Sequence, residues 1–100
     1  MKHILEKINN KAFDNRTRLG IMSMLMVNDW VEFGTFKEML DVSDGNLASH
    51  ISVLEKEKYI EFRKQFVGKK PQTTYMATVI GRKAFNDHLI ALEALLKNLG

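Results

Sequence analysis

Apolar positions recur at helical spacing over most of this chain, and give way to β-branched and aromatic clusters in only two places. Ile4, Leu5 and Ile8 share one face of a short helix over residues 3 to 10. Asp14 is placed to cap a second helix that runs to about Val27. That helix is polar only at its start and apolar over Leu19, Ile21, Met22, Met24, Leu25, Met26 and Val27. A helix apolar nearly all round is a central one, covered on several sides. Asn28 and Asp29 end it, and residues 30 to 33 read as a short strand.

Thr35 and Glu38 have the spacing of a capping box, predicting a short helix that ends near Leu40. Asp41, Val42 and Ser43 make a tight turn, with Ser43 as cap of a third helix from 44 to about 57. On it Leu47, Ile51 and Leu54 fall within ~60° of one another, while Gly45, Asn46, Ser49, Ser52 and Lys56 lie on the other side. Residues 59 to 66 and 73 to 77 predict a hairpin with a long tip, VGKKPQ. Thr78 caps a last helix to about Leu99, whose Phe85, Leu89, Leu92, Leu96 and Leu99 recur with the 4-3 spacing of a helix seam. The predicted fold is mainly α with a small antiparallel β wing, in the order α-α-β-α-α-β-β-α.

One hundred residues with 45% hydrophobic and 27% charged side chains make one ordinary globular domain, residues 1–100, with no repeat or linker. Zero cysteines exclude a disulfide scaffold, a thiolate metal site and a cysteine nucleophile. No apolar run approaches a membrane span and the N-terminus does not read as a signal peptide, so the expected location is cytoplasmic. There is no Gly-rich phosphate loop, no HExxH and no plausible nucleophile, base and acid set, so no catalytic residue and no cofactor is expected. His3, His50 and His88 are far apart, and Asp87-His88 has no second spaced ligand pair, so no metal site is assigned.

Charge changes the picture through its distribution. The net charge is +3, yet residues 62 to 83 hold Arg63, Lys64, Lys69, Lys70, Arg82 and Lys83 with no acidic residue. A neutral-to-acidic body with one basic stretch suits a polyanion-binding edge, although a solvated hairpin also needs charge. Beside it stands a capped helix pair joined by a three-residue turn, so the whole describes a winged helix-turn-helix. A helix entering a major groove must present small or hydrogen-bonding side chains, and a wing beside it needs positive charge. The candidate duplex-contacting residues are therefore Ser43, Gly45, Asn46, Ser49, His50 and Ser52 on the helix, and Arg63, Lys64, Lys69, Lys70, Gln72 and Thr73 on the wing. His50 at the border of the buried face reads equally as a phosphate donor or as a satisfied packing residue. Arg16 and Arg18 start the central helix and read either as contacts to backbone phosphates or, preferred, as solvated.

The run Asn46-Leu47-Ala48-Ser49-His50-Ile51-Ser52-Val53-Leu54-Glu55-Lys56-Glu57, followed by Tyr59-Ile60-Glu61, resembles the recognition-helix-to-wing signature of small bacterial and archaeal regulators. So does Gly68-Lys69-Lys70-Pro71 with Thr73, Thr74 and Tyr75, then Thr78 and Gly81-Arg82-Lys83-Ala84-Phe85. The resemblance is to stand-alone winged helix-turn-helix DNA-binding proteins of the MarR/ArsR-like transcriptional regulator superfamily, and covers roughly residues 12 to 95. It departs at Lys58, where such proteins usually place glycine; Lys58 must adopt the left-handed conformation or end the helix differently, which leaves the wing angle open. Val79 and Ile80 replace a commoner Pro-Glu helix start.

These features lead to the expectation of a homodimeric regulator of transcription on double-stranded DNA with a pseudo-palindromic site, joined through Ile4, Leu5, Ile8, Phe85, Leu89, Leu92, Leu96 and Leu99. A rival is a winged-helix module for protein contact, its basic edge serving an acidic partner; against it, Val53 is the one apolar residue near the outer face of the third helix. A small-molecule effector in the dimer cleft is left open, with no residue pattern pointing to one.

Overall fold

The structure is a computed structural model and describes residues 10–99. The helix expected over residues 3 to 10, with Ile4, Leu5 and Ile8, lies outside the described residues. A 3-10 turn, Lys11–Phe13, leads into α1 (Arg16–Val27), β1 (Val31–Glu32), α2 (Phe33–Leu40), α3 (Asp44–Lys56), β2 (Ile60–Val67), β3 (Lys70–Ala77) and α4 (Val79–Leu99). The three strands form one antiparallel sheet in the order β1-β3-β2. Mainly helical with a small antiparallel sheet, this is the predicted winged helix-turn-helix class and order.

Local chemistry explains most boundaries, and four differ from the expectation. The cap of α1 is Asn15, whose Oδ1 accepts from the amides of Thr17 (2.9 Å) and Arg18 (3.1 Å). Asp14, expected in that role, instead closes the 3-10 turn through its own amide. The Thr35–Glu38 capping box does not form: α2 starts two residues before Thr35, and its N-cap Glu32 makes no side-chain bond. The cause is tertiary. Val31 and Glu32 pair with Tyr75 and Thr74, and the chain turns into the helix at once, which also shortens the expected strand to two residues. The expected long wing tip is a two-residue turn, Gly68-Lys69, because Val67 already pairs with Lys70 and Phe66 with Pro71. Gly68 has φ +66°, at the first central position of a two-residue hairpin, where glycine is favoured. Pro71 is tolerated in β3 because β1 has ended by then, leaving that side of the strand an open edge without need of its N–H.

The core lies between α1, α2, α3, the start of α4 and the inner face of the sheet. Phe36, Ile21, Met22, Leu25, Leu47 and Leu54 are fully buried, and α1 is the central helix, as its apolar girth requires. Phe13 joins the core to α4: its ring stacks on Tyr59 at 5.6 Å and meets Phe85 edge-on at 5.3 Å. Among the described residues no helix is long and apolar enough to cross a membrane.

Candidate nucleic-acid interface

Helix α3 turns its apolar residues inward and its small polar residues outward. Leu47, Ile51 and Leu54 are buried, whereas Gly45, Asn46, Ala48, Ser49 and Ser52 are exposed. A Cβ built on Gly45 would meet nothing within 4 Å, so the backbone there is open to close approach. Ser43 is exposed and caps the helix, its Oγ accepting from the Asn46 amide at 3.2 Å. Asp44 in the first turn pairs with Lys37 of α2 at 3.0 Å; both side chains are exposed, so the contact orients the two helices more than it stabilises them. The turn between the helices places Asp41 in the left-handed region at φ 52°, a conformation aspartate tolerates better than most residues.

The wing leaves the end of α3 through a joint built on three residues. The Lys58 amide donates to Glu55 O and the Tyr59 amide to Leu54 O, closing the helix with Lys58 left-handed at φ 62°. Lysine therefore adopts the conformation that suits glycine. Thr78 then binds both sides of the joint: its Oγ1 donates to Lys58 O at 2.6 Å and its amide to Tyr59 O at 2.9 Å. The same oxygen accepts from the Gly81 amide at 2.9 Å, which makes Thr78 the cap of α4 as predicted. The end of α3, the root of the wing and the start of α4 are thus tied at one point. Lys58→Gly should raise stability by about 0.5 to 1 kcal/mol, the left-handed penalty less the extra entropy of an unfolded glycine, read as a higher urea midpoint at unchanged slope.

On the wing Lys64, Lys69 and Lys70 are exposed, as their expected role requires. Arg63 is also exposed as a residue, but its guanidinium lies 4.1 Å from the centre of the Trp30 ring, so it anchors β2 to the segment before β1. Gln72 is half-buried and accepts from Gln65 across the ribbon at 3.4 Å, and Thr73 is half-buried opposite Lys64.

His50 and Arg18 are brought together. Arg18 Nε donates to Ala12 O at 2.7 Å and NH2 to Lys11 O at 3.2 Å, while NH1 lies 2.9 Å from His50 Nδ1. A guanidinium only donates, so Nδ1 is the acceptor and the ring hydrogen sits on Nε2. Burial, and then the Arg18 charge, hold the His50 pKa below its ordinary value. His50 is thus a neutral ring fixed from behind, and Arg18 is a buttress of α3 rather than a solvated side chain. Neither the Arg18–His50 contact nor the Trp30–Arg63 contact carries a local signal, since the partners lie more than thirty residues apart.

The last helix divides its apolar residues. Phe85, expected at a subunit contact, is 3% exposed and belongs to the protomer's own core against Phe13, so it is withdrawn from that set. His88 is 6% exposed with its ring 5.2 Å from Phe13. Leu89 is 44% and Leu96 69% exposed, with Leu92 half-buried between them.

The profile of the winged helix DNA-binding domain family matches residues 17–96. An uncharacterized protein of Methanocaldococcus jannaschii is 32% identical over 89 residues, 89% of this chain and 97% of its own. A transcriptional regulator homologue from Pyrococcus horikoshii is 30% identical, with a TM-score of 0.89 over 99% of this chain and 98% of its own. PadR of Bacillus subtilis, solved in complex with operator DNA, shares the fold at 19% identity, with a TM-score of 0.63 over 71% of this chain and 46% of its own. The family profile and the Pyrococcus homologue both run through the helix pair, the joint and the ribbon, and the chain therefore belongs to the winged helix DNA-binding domain family, whose members are DNA-binding transcriptional regulators and not enzymes.

Proposed function

We propose that two copies of this chain bind one pseudo-palindromic duplex in the cytoplasm, each with α3 in a major groove and its wing on the adjoining backbone. The observation that carries the reading is a small, polar α3 face rooted at the same joint as a ribbon with three exposed lysines. Asn46, Ser49 and Ser52 inspect base edges, and Gly45 lets the helix backbone come close. The capping oxygen of Ser43 is occupied by the Asn46 amide, so its hydroxyl proton is what it offers a phosphate. His50 has one polar atom to offer, the Nε2–H, and therefore acts as a donor. Lys64, Lys69 and Lys70 supply sequence-independent phosphate affinity, with Thr73 as a weaker neighbour, while Arg63 and Gln72 chiefly hold the ribbon in shape. Leu89, Leu92 and Leu96 join the two copies, spacing the recognition helices by one DNA turn of about 34 Å. PadR, the neighbour solved with operator DNA, supports duplex DNA as the partner of this fold.

The test separates affinity from discrimination. Lys69→Ala combined with Lys70→Ala should weaken binding to random and selected duplexes alike, flattening the slope of log K against log salt by up to ~2. Asn46→Ala should leave the slope unchanged and cost roughly 1 to 3 kcal/mol on a selected duplex alone. Parental behaviour in both variants rejects the assignment.

A further inference from the structure

Directly opposed residues of an antiparallel pair share a face, and the inner face of this sheet continues along the wing past the helices. It carries Ile60 with Ala77, Phe62 with Tyr75, Lys64 with Thr73, and Phe66 with Pro71. Ile60, Ala77 and Tyr75 are buried, whereas Phe62 is 53% exposed and Phe66 75%. Phe66 thus stands two residues before Gly68, beside the Pro71 ring, at the end of a narrow two-residue hairpin.

A single exposed phenylalanine on a protein surface needs no explanation. This one has Lys64 on its own face, Lys69 in the adjoining turn and Lys70 opposite Val67, with no acidic residue between positions 62 and 86. A second copy meeting it face to face would press like charges together. A nucleic-acid duplex offers both complements at once, phosphates for the rim and stacked bases for the ring. Apolar side chains at such positions, phenylalanine and proline among them, enter between base pairs from the minor groove and kink the duplex.

We propose that Phe66, backed by Pro71, is a wedge that parts one base step and bends the duplex, while Lys64, Lys69 and Lys70 hold the phosphates around it. The inference rests on the DNA-binding reading above and adds to it a deformation that the α3 contacts do not require. It also assigns a sequence preference to bases no side chain reads, since TA and CA steps open more readily than others.

The experiment uses end-labelled duplexes rich in TA and CA steps, with 2-aminopurine in place of adenine at those steps. At saturating protein the parent should bring the ends together by a bend of roughly 20 to 90° and raise 2-aminopurine emission. Phe66→Ala should lose both signals while keeping the parental salt slope, because no phosphate contact is removed; Phe66→Trp should keep both. The residue is exposed, so an unchanged melting temperature shows that Phe66→Ala is folded. Bending by the alanine variant equal to the parent overturns the wedge, as does tight binding by the parent without any bend. A change in sedimentation of free Phe66→Ala overturns it too, by giving the ring to a second copy. Failure of the parent to bind any duplex rejects the DNA-binding reading itself, and the wedge with it.

Discussion

Gly81→Ala is expected to destabilise the protein by about 3 kcal/mol or more, lowering the melting temperature by roughly 12 to 24 °C. A Cβ at this position would lie 2.0 Å from the Tyr59 carbonyl oxygen and 2.7 Å from its carbon. Both are backbone atoms, so no side chain can swing aside. The same carbonyl accepts from the Thr78 amide, and Thr78 also holds Lys58 and caps α4. Relief of the clash therefore separates α4 from the root of the wing and loosens the end of α3. Against a total stability of about 5 to 15 kcal/mol, that is a large fraction. Duplex affinity should fall with it even where the variant remains folded, because the angle between recognition helix and wing is set at this joint. Gly34→Ala is the control: its Cβ meets nothing within 4 Å, and the change should be neutral or stabilising within ~1 kcal/mol. Thermal melts of the two variants with the same outcome would show that α4 does not seat on Tyr59.

That joint also shows what was legible in the sequence. Thr78 as a cap and Ser43 as a cap are consequences of chemistry within a few residues, and each is found where local reasoning places it, whereas Lys58, marked by the family resemblance with two outcomes open, takes the left-handed one. The steric demand on Gly81 is not local. It arises because the first turn of α4 lies against a carbonyl twenty-two residues earlier, and nothing in a window around Gly81 announces that. The two misplaced helix starts differ in the same way. The cap of α1 is Asn15, one residue after the expected Asp14, a local displacement, whereas the pairing of Val31 and Glu32 with β3 dictates where α2 begins and removes the capping box at Thr35 and Glu38. At the wing tip, Gly68 and Pro71 belong by residue type in a loop. Cross-strand register makes one a turn and the other an open-edge strand position.

The candidate interface divides in the same way. An outer face of glycine, asparagine and serines follows from helical period and is exposed as expected. Which basic side chains are committed elsewhere does not follow from any period: Arg63 lies over Trp30, and Arg18 spans Lys11, Ala12 and His50. The 4-3 stripe on the last helix carried a related ambiguity. Its spacing describes residues that share a side, and says nothing of what that side meets. Phe85 at one end meets the protomer's own core, while Leu89 and Leu96 further along remain open.

Leu89→Glu combined with Leu96→Glu is accordingly expected to give monomers and to lower affinity for a pseudo-palindromic duplex by roughly 10² to 10⁴. The two positions are seven residues apart, nearly aligned on α4, and both are exposed in the protomer, so the fold itself has little to lose. In a two-fold contact each glutamate would be buried against apolar groups of the mate, at a cost of several kcal/mol per unpaired carboxylate. Splitting the pair removes the linkage that makes the second half-site contact intramolecular, and with it about half of the phosphate contacts. The salt slope on the full site should therefore fall by about half, while affinity for an isolated half-site stays near the parental value. Sedimentation and paired titrations on full-site and half-site duplexes measure both effects. A double variant that sediments as the parent does and keeps the full-site slope would move the subunit contact off α4.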